Sequence, residues 1–274
     1  MTLRIGTRGS ALALAQAGWV AERLPVAAEL VTITTSGDLG RGPADKSRWV
    51  DAIERALLAG EVDLAVHSAK DVPGELAEGT AIVAVPPRED PADVLIGEAA
   101  AGGRVGTASL RRRAQLLAWR EDLEVTELRG NVDTRLRKWR DGEVDAVVLA
   151  RAGLVRLGRV ERDAVFDAPV FVPAPGQGAL ALQARAGDEA TREAAAALSD
   201  VQAFACLMAE RAAVRVLGAD CHTPVGIHAD GRTVRGFVGR ADGSAWVLDE
   251  LDGLDGAALG HRMLAAGARE MLAA

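Results

Sequence analysis

Short apolar strand patterns and amphipathic helix patterns alternate along most of the chain. Strands are predicted at 3–7, 29–35, 63–68, 81–85, 123–128, 145–150 and 179–184. Helices are predicted at 10–24 and 47–59. Two more helices are predicted to begin near Ser109 and near Asn131, and the segment 104–106 leads into the helix near Ser109. Alternation of this kind predicts α/β units in which the carboxyl ends of the strands face a crevice.

Proline clusters divide this alternation into blocks, and the last part of the chain follows a different pattern. The clusters are Pro86, Pro87 and Pro91, and then Pro169, Pro173 and Pro175. The last part has a long helix (200–217), antiparallel strands (225–238 and 245–251, with turns at 230–231 and 242–243) and a closing helix (255–272). We therefore predict the α/β fold class and three domains. They are an α/β domain of residues 1–87 and 179–197, an α/β domain of residues 88–178, and a small α+β domain of residues 198–274.

Composition limits the classes of protein and partner. The chain of 274 residues is 49% hydrophobic with two cysteines, which excludes global disorder and a disulfide framework. Its formal net charge of -7 argues against a general nucleic-acid binder. Residues 104–162 nevertheless hold thirteen Arg and one Lys against nine acidic residues, an excess of five positive charges. This basic stretch indicates either an anionic ligand or Arg side chains on solvated helix faces.

Membrane and metal signals are weak. No stretch has the ~20 apolar residues that a spanning helix needs. Residues 11–21 resemble the apolar core of a signal peptide, but Gln16 and Gly18 interrupt that core. We therefore expect a cytoplasmic protein with no membrane partner and with reduced thiols. A metal site with His222 and His228 lacks support from any Cys-x-x-Cys spacing, so no metal is predicted.

Polar motifs follow the predicted strands, at the edge where an α/β sheet places ligands. The segment HSAKDVP at 67–73 offers Lys70 for a carboxylate and Asp71 for proton transfer, or else only a surface ion pair. The segment GTASLRRR at 106–113 places hydroxyls and Arg forks at a helix start, an arrangement suited to anions.

Arg recurs at the ends of the next strands as well. Arg129 and Arg135 lie on either side of the Gly130 turn, and Arg156 follows the next strand. Recurrence at the same topological position favours anion binding over solvated faces.

The two cysteines differ in context. Cys206 lies on the apolar face of a predicted helix, which indicates a core residue. Cys221 lies in a loop between Asp220 and His222, an atypical place for an inert buried thiol.

Eight short segments together form a specific pattern. In order they are IGTRGSALA at 5–13, HSAKDVP at 67–73, REDP at 88–91, VGTASLRR at 105–112, LRGNV at 128–132, AGL at 152–154, PGQG at 175–178 and CHTP at 221–224. In these segments the chain resembles the hydroxymethylbilane synthases, also called porphobilinogen deaminases. The match extends along nearly the whole chain.

The resemblance implies a transferase of tetrapyrrole (porphyrin, haem) biosynthesis. Such an enzyme condenses four porphobilinogen molecules head to tail into linear hydroxymethylbilane and releases ammonia. The reaction is primed on a dipyrromethane cofactor, one per chain, held by a thioether to a cysteine. The implied fold is two domains resembling type II periplasmic binding proteins plus a small third domain that carries this cysteine. A monomer is also expected.

The same resemblance implies roles for individual residues. The catalytic residue is Asp71, and the thioether cysteine is Cys221. The other expected cofactor-binding residues are Ser68, Lys70, Thr107, Ser109, Arg111, Arg112 and Gly130. The expected substrate-binding residues are Arg8, Ser10, Lys46, Arg129, Arg135, Arg156 and Gln177.

The chain departs from the family pattern around Lys46, and two alternatives stand beside the resemblance. The loop between Asp38 and Lys46 is short, one expected Lys is missing, and Trp49 stands where Phe is common. One alternative is a non-catalytic anion-binding protein of the same α/β fold. Another is a Schiff-base enzyme that uses Lys70, which leaves Cys221 and the Arg series unexplained.

Overall fold

The structure is a computed structural model that describes residues 2–39, 46–159, 163–166, 170–220 and 222–272, without the side chain of Lys46. The strands are β1 Thr2–Thr7, β2 Ala27–Thr32, β3 Leu64–Ser68, β4 Thr80–Ala84, β5 Asp93–Gly97, β6 Arg104–Gly106, β7 Glu124–Thr126, β8 Ala146–Ala150, β9 Asp163–Val165, β10 Leu180–Arg185, β11 Val225–Ala229, β12 Thr233–Gly239 and β13 Trp246–Asp252. The helices are α1 Ala11–Ala21, α2 Asp51–Leu58, α3 Leu110–Trp119, α4 Val132–Arg140, α5 Arg151–Arg156, α6 Glu189–Ala196, α7 Val201–Leu217, α8 Gly256–Met263 and α9 Arg269–Leu272.

The chain divides into two compact units. Unit 1 comprises Met1–Glu89 and Gly178–Leu207, and unit 2 comprises Asp90–Gln177 and Met208–Ala274. The predicted α/β class is confirmed. The division into three domains is finer than these two units and stays a prediction.

Unit 1 is built on a five-stranded sheet in the order β2-β1-β3-β10-β4. β1 runs parallel to β2 and β3, whereas β10 runs antiparallel to β3 and β4. Successive residues of β3 face opposite sides, so Leu64 joins the apolar cluster with α1, and Ala65 joins the cluster with α2. Helices therefore cover both faces, which explains why β3 is apolar without alternation.

Unit 2 contains a second five-stranded sheet in the order β7-β6-β8-β5-β9. β6 runs parallel to β7 and β8, and β5 runs antiparallel to β8 and β9. Here too the central strand is buried on both faces: Val147 and Val148 belong to different apolar clusters. The C-terminal part of the unit adds an antiparallel meander, β11-β12-β13, against which α8 packs.

Some sequence predictions of local structure differ from the fold. The segment 104–106, predicted to lead into a helix, is strand β6, and the short strands β5 and β9 were missed. The helix predicted at 47–59 is a 3-10 turn, Lys46–Trp49, followed by α2. The closing helix is interrupted after α8, because Gly267 adopts φ 101°, which only glycine accommodates readily.

Candidate active site

In unit 1 the carboxyl ends of β1 and β3 carry two of the predicted motifs. The strands are parallel neighbours, so their carboxyl ends lie at the same edge of the sheet. Ser10 follows β1 and caps α1, where its Oγ accepts from the backbone N–H of Ala13 at 3.3 Å. Ser68 ends β3, and Asp71 ends the 3-10 turn that follows it. The chain thus turns at both strand ends and presents its polar groups there.

These strand ends form one pocket. Its polar and aromatic lining residues are Arg8, Ser10, Gln16, Trp49, His67, Ser68 and Asp71. The structure therefore brings four predicted site residues of unit 1 together. It adds Gln16, Trp49 and His67, to which the sequence assigned no role in the site. Lys70 is half-buried in the same turn as Asp71. Lys46 begins the 3-10 turn that leads to Trp49, and its side chain lies outside the described part of the chain.

Arg8 is held by an acid and an aromatic ring. Its Nε donates to Oδ1 of Asp38 at 3.1 Å, and its Cζ lies 4.1 Å from the centroid of the Trp49 ring. Burial opposes ionisation of Asp38, but hydrogen bonds from Arg8 and Thr35 outweigh it and hold the pKa of Asp38 below its usual value. A ligand carboxylate at Arg8 would therefore share the guanidinium with Asp38.

His67 lies in a buried polar network whose bonding fixes its protonation pattern. Gln183 Nε2 donates to Oε1 of Glu54 at 2.7 Å and to the Thr80 hydroxyl at 2.8 Å. Because the amide nitrogen of Gln183 is the donor in both of these bonds, its amide oxygen faces His67. His67 Nε2, 3.0 Å from that oxygen, must then carry the proton. Burial lowers the pKa of His67 to about 4, so the ring is neutral at neutral pH.

In unit 2 three neighbouring strands end at one edge. β7, β6 and β8 are parallel neighbours, and each is followed by a helix. Thr107 is buried and accepts from the N–H of Ser109 at 3.2 Å, and Ser109 in turn caps α3. Gly130 turns the chain after β7 with φ 127°, and Asn131 caps α4. Local hydrogen bonding thus starts a helix at this edge after both β6 and β7.

Arg111 and Arg112 point inward rather than to solvent. Each is 5% exposed, and their guanidinium groups converge on the carboxylate of Asp93, the first residue of β5. Arg111 Nη1 lies 2.6 Å from Oδ2, and Arg112 Nη2 lies 2.7 Å from Oδ1. Burial disfavours the charged form of Asp93, but the two guanidiniums outweigh it and hold the pKa of Asp93 well below its usual value. The sequence did not single out Asp93.

The other Arg residues that the sequence predicted for the site are less buried than Arg111 and Arg112. Arg129 is exposed and ion-paired with Glu127, and Arg135 and Arg156 are half-buried. Other Arg of the basic stretch pair with nearby acids. These pairs are Arg104–Asp145, Arg120–Asp122, Arg137–Asp141, Arg151–Asp90 and Arg159–Asp133. Much of the local positive charge therefore has an acidic partner at the surface, which the charge count alone did not reveal.

Gln177 is 1% exposed, and its side-chain amide donates to the carbonyl of Pro91 at 2.7 Å and to Asp93 at 2.9 Å. The adjacent Gly176 N–H donates to the fully buried carboxylate of Glu210 at 2.6 Å. The PGQG segment is thus anchored by two buried acids of unit 2.

Cys221 lies outside the described residues, but its neighbours form a tight turn. The N–H of His222 donates to Oδ1 of Asp220 at 2.8 Å. Thr223 Oγ1 accepts from the N–H of Asp220 at 2.9 Å and donates to its carbonyl at 2.8 Å. Asp220 and His222 are exposed. Within the described part of the chain, no group of three His, Cys, Asp or Glu residues could hold a metal ion.

The similarity of this chain to known proteins extends along nearly its whole length. The family model "Porphobilinogen deaminase, dipyromethane cofactor binding domain" matches residues 3–193, and "Porphobilinogen deaminase, C-terminal domain" matches residues 204–263. A porphobilinogen deaminase of Thermus thermophilus is 44% identical over 98% of this chain and 97% of its own. One of Rubrobacter xylanophilus is 49% identical over 96% of this chain and 92% of its own. A periplasmic binding protein of Salmonella typhimurium with high arginine specificity matches 72% of this chain and 91% of its own, at 15% identity and a TM-score of 0.41.

Proposed function

The chain belongs to the porphobilinogen deaminase family, and we propose how its own residues carry out the family reaction. It is a hydroxymethylbilane synthase: it joins four porphobilinogen molecules head to tail into linear hydroxymethylbilane, with release of ammonia. The alternative of a non-catalytic anion-binding protein is not favoured by this family membership. The observation that carries the residue assignment is the convergence of Arg8, Ser68 and Asp71 on one pocket of unit 1.

Each unit, taken by itself, carries groups of the kind that bind a dipyrromethane cofactor. Pyrroles derived from porphobilinogen present carboxylates and ring N–H groups, and so need basic donors and an acceptor. Unit 2 contains Arg111 and Arg112 at the capped start of α3, and unit 1 contains the carboxylate of Asp71. When bound through a thioether to Cys221, the cofactor supplies the pyrrole carbon from which the product grows.

Asp71 is the catalytic acid–base residue of the proposal. Its carboxylate accepts hydrogen bonds from pyrrole N–H groups and stabilises the positive charge that develops on the substrate as ammonia leaves. It also takes up the proton released when the new ring regains aromaticity. His67 is neutral, so it adds no positive charge that would oppose the cation.

Basic and hydroxyl groups hold the substrate carboxylates in this proposal. Ser10, Ser68 and Arg8 act from the unit 1 pocket, with Trp49 supporting the Arg8 guanidinium. In unit 2 the hydroxyls of Thr107 and Ser109 and the Arg series serve the same purpose. We propose that further residues also bind. They are Lys70 and Gly130 for the cofactor, and Lys46, Arg129, Arg135, Arg156 and Gln177 for the substrate.

Intact mass spectrometry tests the function and the attachment site together. The purified chain should carry a covalent adduct of two pyrrole units that gives a colour with Ehrlich's reagent. Cys221→Ala should lose the adduct. Cys206→Ala, at a buried cysteine of α7, is the matched control and should retain it. An unmodified wild-type mass with no Ehrlich colour would refute cofactor attachment, and an adduct that survives in Cys221→Ala would refute the attachment site.

We also propose that the enzyme is a cytoplasmic monomer. Among the described residues, none of the helices has the length and apolar character needed to cross a membrane. Light scattering coupled to size exclusion should return a mass near 28.5 kDa plus the adduct. A mass of twice that value would contradict the monomer.

A further inference from the structure

The group formed by Asp93, Arg111 and Arg112 in unit 2 is buried and electrically unbalanced. The side chain of Asp93 is 3% exposed, and those of the two Arg are 5% and 6% exposed. Two guanidiniums and one carboxylate leave a net charge of one positive unit. A buried charge without a counter-charge is unfavourable, so a second anion is expected next to this group.

The hydrogen bonds of the Asp93 side chain hold this arrangement in place. Oδ1 accepts from Arg112 Nε at 2.9 Å, from Arg112 Nη2 at 2.7 Å and from Gln177 Nε2 at 2.9 Å. Oδ2 accepts from Arg111 Nη1 at 2.6 Å. One carboxylate therefore holds both guanidinium groups. The amide of Gln177, which donates to this carboxylate, is itself held by a second bond to the Pro91 carbonyl.

Arg111 has donors beyond the one that Asp93 uses. Its Nη1 donates to Asp93, to Gln115 and to the carbonyl of Val172. Its Nε and Nη2 are additional N–H donors. Both Arg also lie in the first turn of α3, where the helix dipole favours an anion.

We propose that Asp93 is a positioning residue of the cofactor site: it holds Arg111 and Arg112 in one fixed arrangement whose uncompensated positive charge pairs with a carboxylate of the dipyrromethane. The inference rests on the proposed function, since it assigns the anion to that cofactor. Asp93 itself touches only protein groups in this proposal.

The experiment follows cofactor loading instead of turnover. Cofactor-free protein is prepared from a host that makes no porphobilinogen, then porphobilinogen is added, and the adduct is followed by intact mass over time. Asp93→Asn keeps the shape of the side chain but removes the charge that holds the guanidinium groups of Arg111 and Arg112. Cofactor loading should therefore slow by about tenfold or more. The melting temperature is measured on the same samples.

Asp63→Asn is the matched control. Asp63 also joins two Arg, with Arg4 Nη2 at 2.7 Å and Arg185 Nη2 at 3.3 Å, but it belongs to unit 1 and lies outside the pocket residues. It should lose stability and still load at the wild-type rate. If Asp93→Asn loads as fast as Asp63→Asn, the Asp93 group is structural only and the proposal is overturned.

A second variant covers the case in which Asp93→Asn does not fold. Asp93→Glu keeps the charge but displaces it by one methylene, so it should fold and still load more slowly than wild type; loading at the wild-type rate would overturn the proposal. If wild type itself never acquires the adduct, the proposed function fails, and this outcome is distinct from a defect confined to Asp93.

Discussion

At the scale of single residues, the sequence predicted the position of Asp71 better than it predicted the orientation of two Arg side chains. Asp71 lies in the pocket at the sheet edge, as its position after a strand indicated. Arg111 and Arg112, by contrast, turn toward a buried acid at the start of another strand, eighteen or more residues away. A sequence motif shows which side chains are available at a turn. It does not show which interior partner competes for them, because that partner depends on the strand order of the folded sheet.

Asp71→Asn tests the central residue. The amide is nearly isosteric but can neither take up a proton nor offset a developing positive charge, so turnover should fall by about a hundredfold or more. The adduct of two pyrrole units should remain detectable by intact mass. Asp51→Asn, at a partly exposed acid of the same unit, is the control and should keep wild-type turnover. Turnover near the wild-type level in Asp71→Asn would rule out the assignment.

His67 should make the stability of unit 1 depend on pH. In the folded chain its pKa is lowered to about 4, whereas an unfolded His titrates at 6.5. Between these values the unfolded chain binds more protons, so the free energy of unfolding falls as the pH drops from 6.5 toward 4. At pH 5 the loss from this residue is about 2 kcal/mol relative to pH 7. Urea denaturation of wild type and His67→Gln at both pH values should show that difference, and parallel changes in the two proteins would contradict it.

At the scale of elements, the sequence predicted β3, β8 and β10 close to their observed positions and missed β5 and β9. β8 is apolar throughout, and β3 and β10 each begin with three apolar residues. β9 has three residues, too few for a period to be distinguished from a loop, whereas β5 is as long as β3 and β8, so length does not explain why it was missed. β5 is the strand that carries Asp93, so missing it also concealed the partner of the two Arg. Capping residues were more informative: Ser10, Ser109 and Asn131 each accept a backbone N–H of their helix.

The turn between β7 and α4 depends on glycine for two reasons. Gly130 has φ 127°, and a Cβ there would lie 2.7 Å from the Thr134 Cγ2 atom. Gly130→Ala should therefore destabilise the protein by about 1–3 kcal/mol in urea unfolding. Gly142→Ala, at φ 77° with open space around it, should cost less because only the backbone is strained. Thr134→Ser should recover part of the Gly130→Ala loss by removing the clashing methyl group; equal losses at Gly130 and Gly142 would contradict the steric argument.

At the scale of the whole molecule, each unit has a core of its own. Leu182 of β10 is fully buried in the cluster that contains Leu3 and Leu64, residues far away in sequence. Leu136 of α4 is 1% exposed in a cluster made of unit 2 residues alone. The two cores share no residue, so damage to one should be felt first within its own unit.

Hydrogen exchange in matched core variants tests this separation. Leu182→Ala should cost about 2–5 kcal/mol and reduce amide protection in β1 and β3 as well as in β10. Leu136→Ala should reduce protection in β5 and β8 and leave β1 and β3 protected. Uniform loss across the chain in both variants would show that the units unfold as one.

The position of β10 determines how the chain emerges during synthesis. β10 lies between β3 and β4 in the sheet, yet it is translated only after the whole of residues 90–177. At ordinary translation speeds the ribosome takes on the order of ten seconds to make that insertion. Throughout this interval β3 and β4 lack the strand that pairs with both. The exposed apolar edge of β3 is then open to pairing with other chains, so we expect nascent unit 1 to be the segment that chaperones must protect.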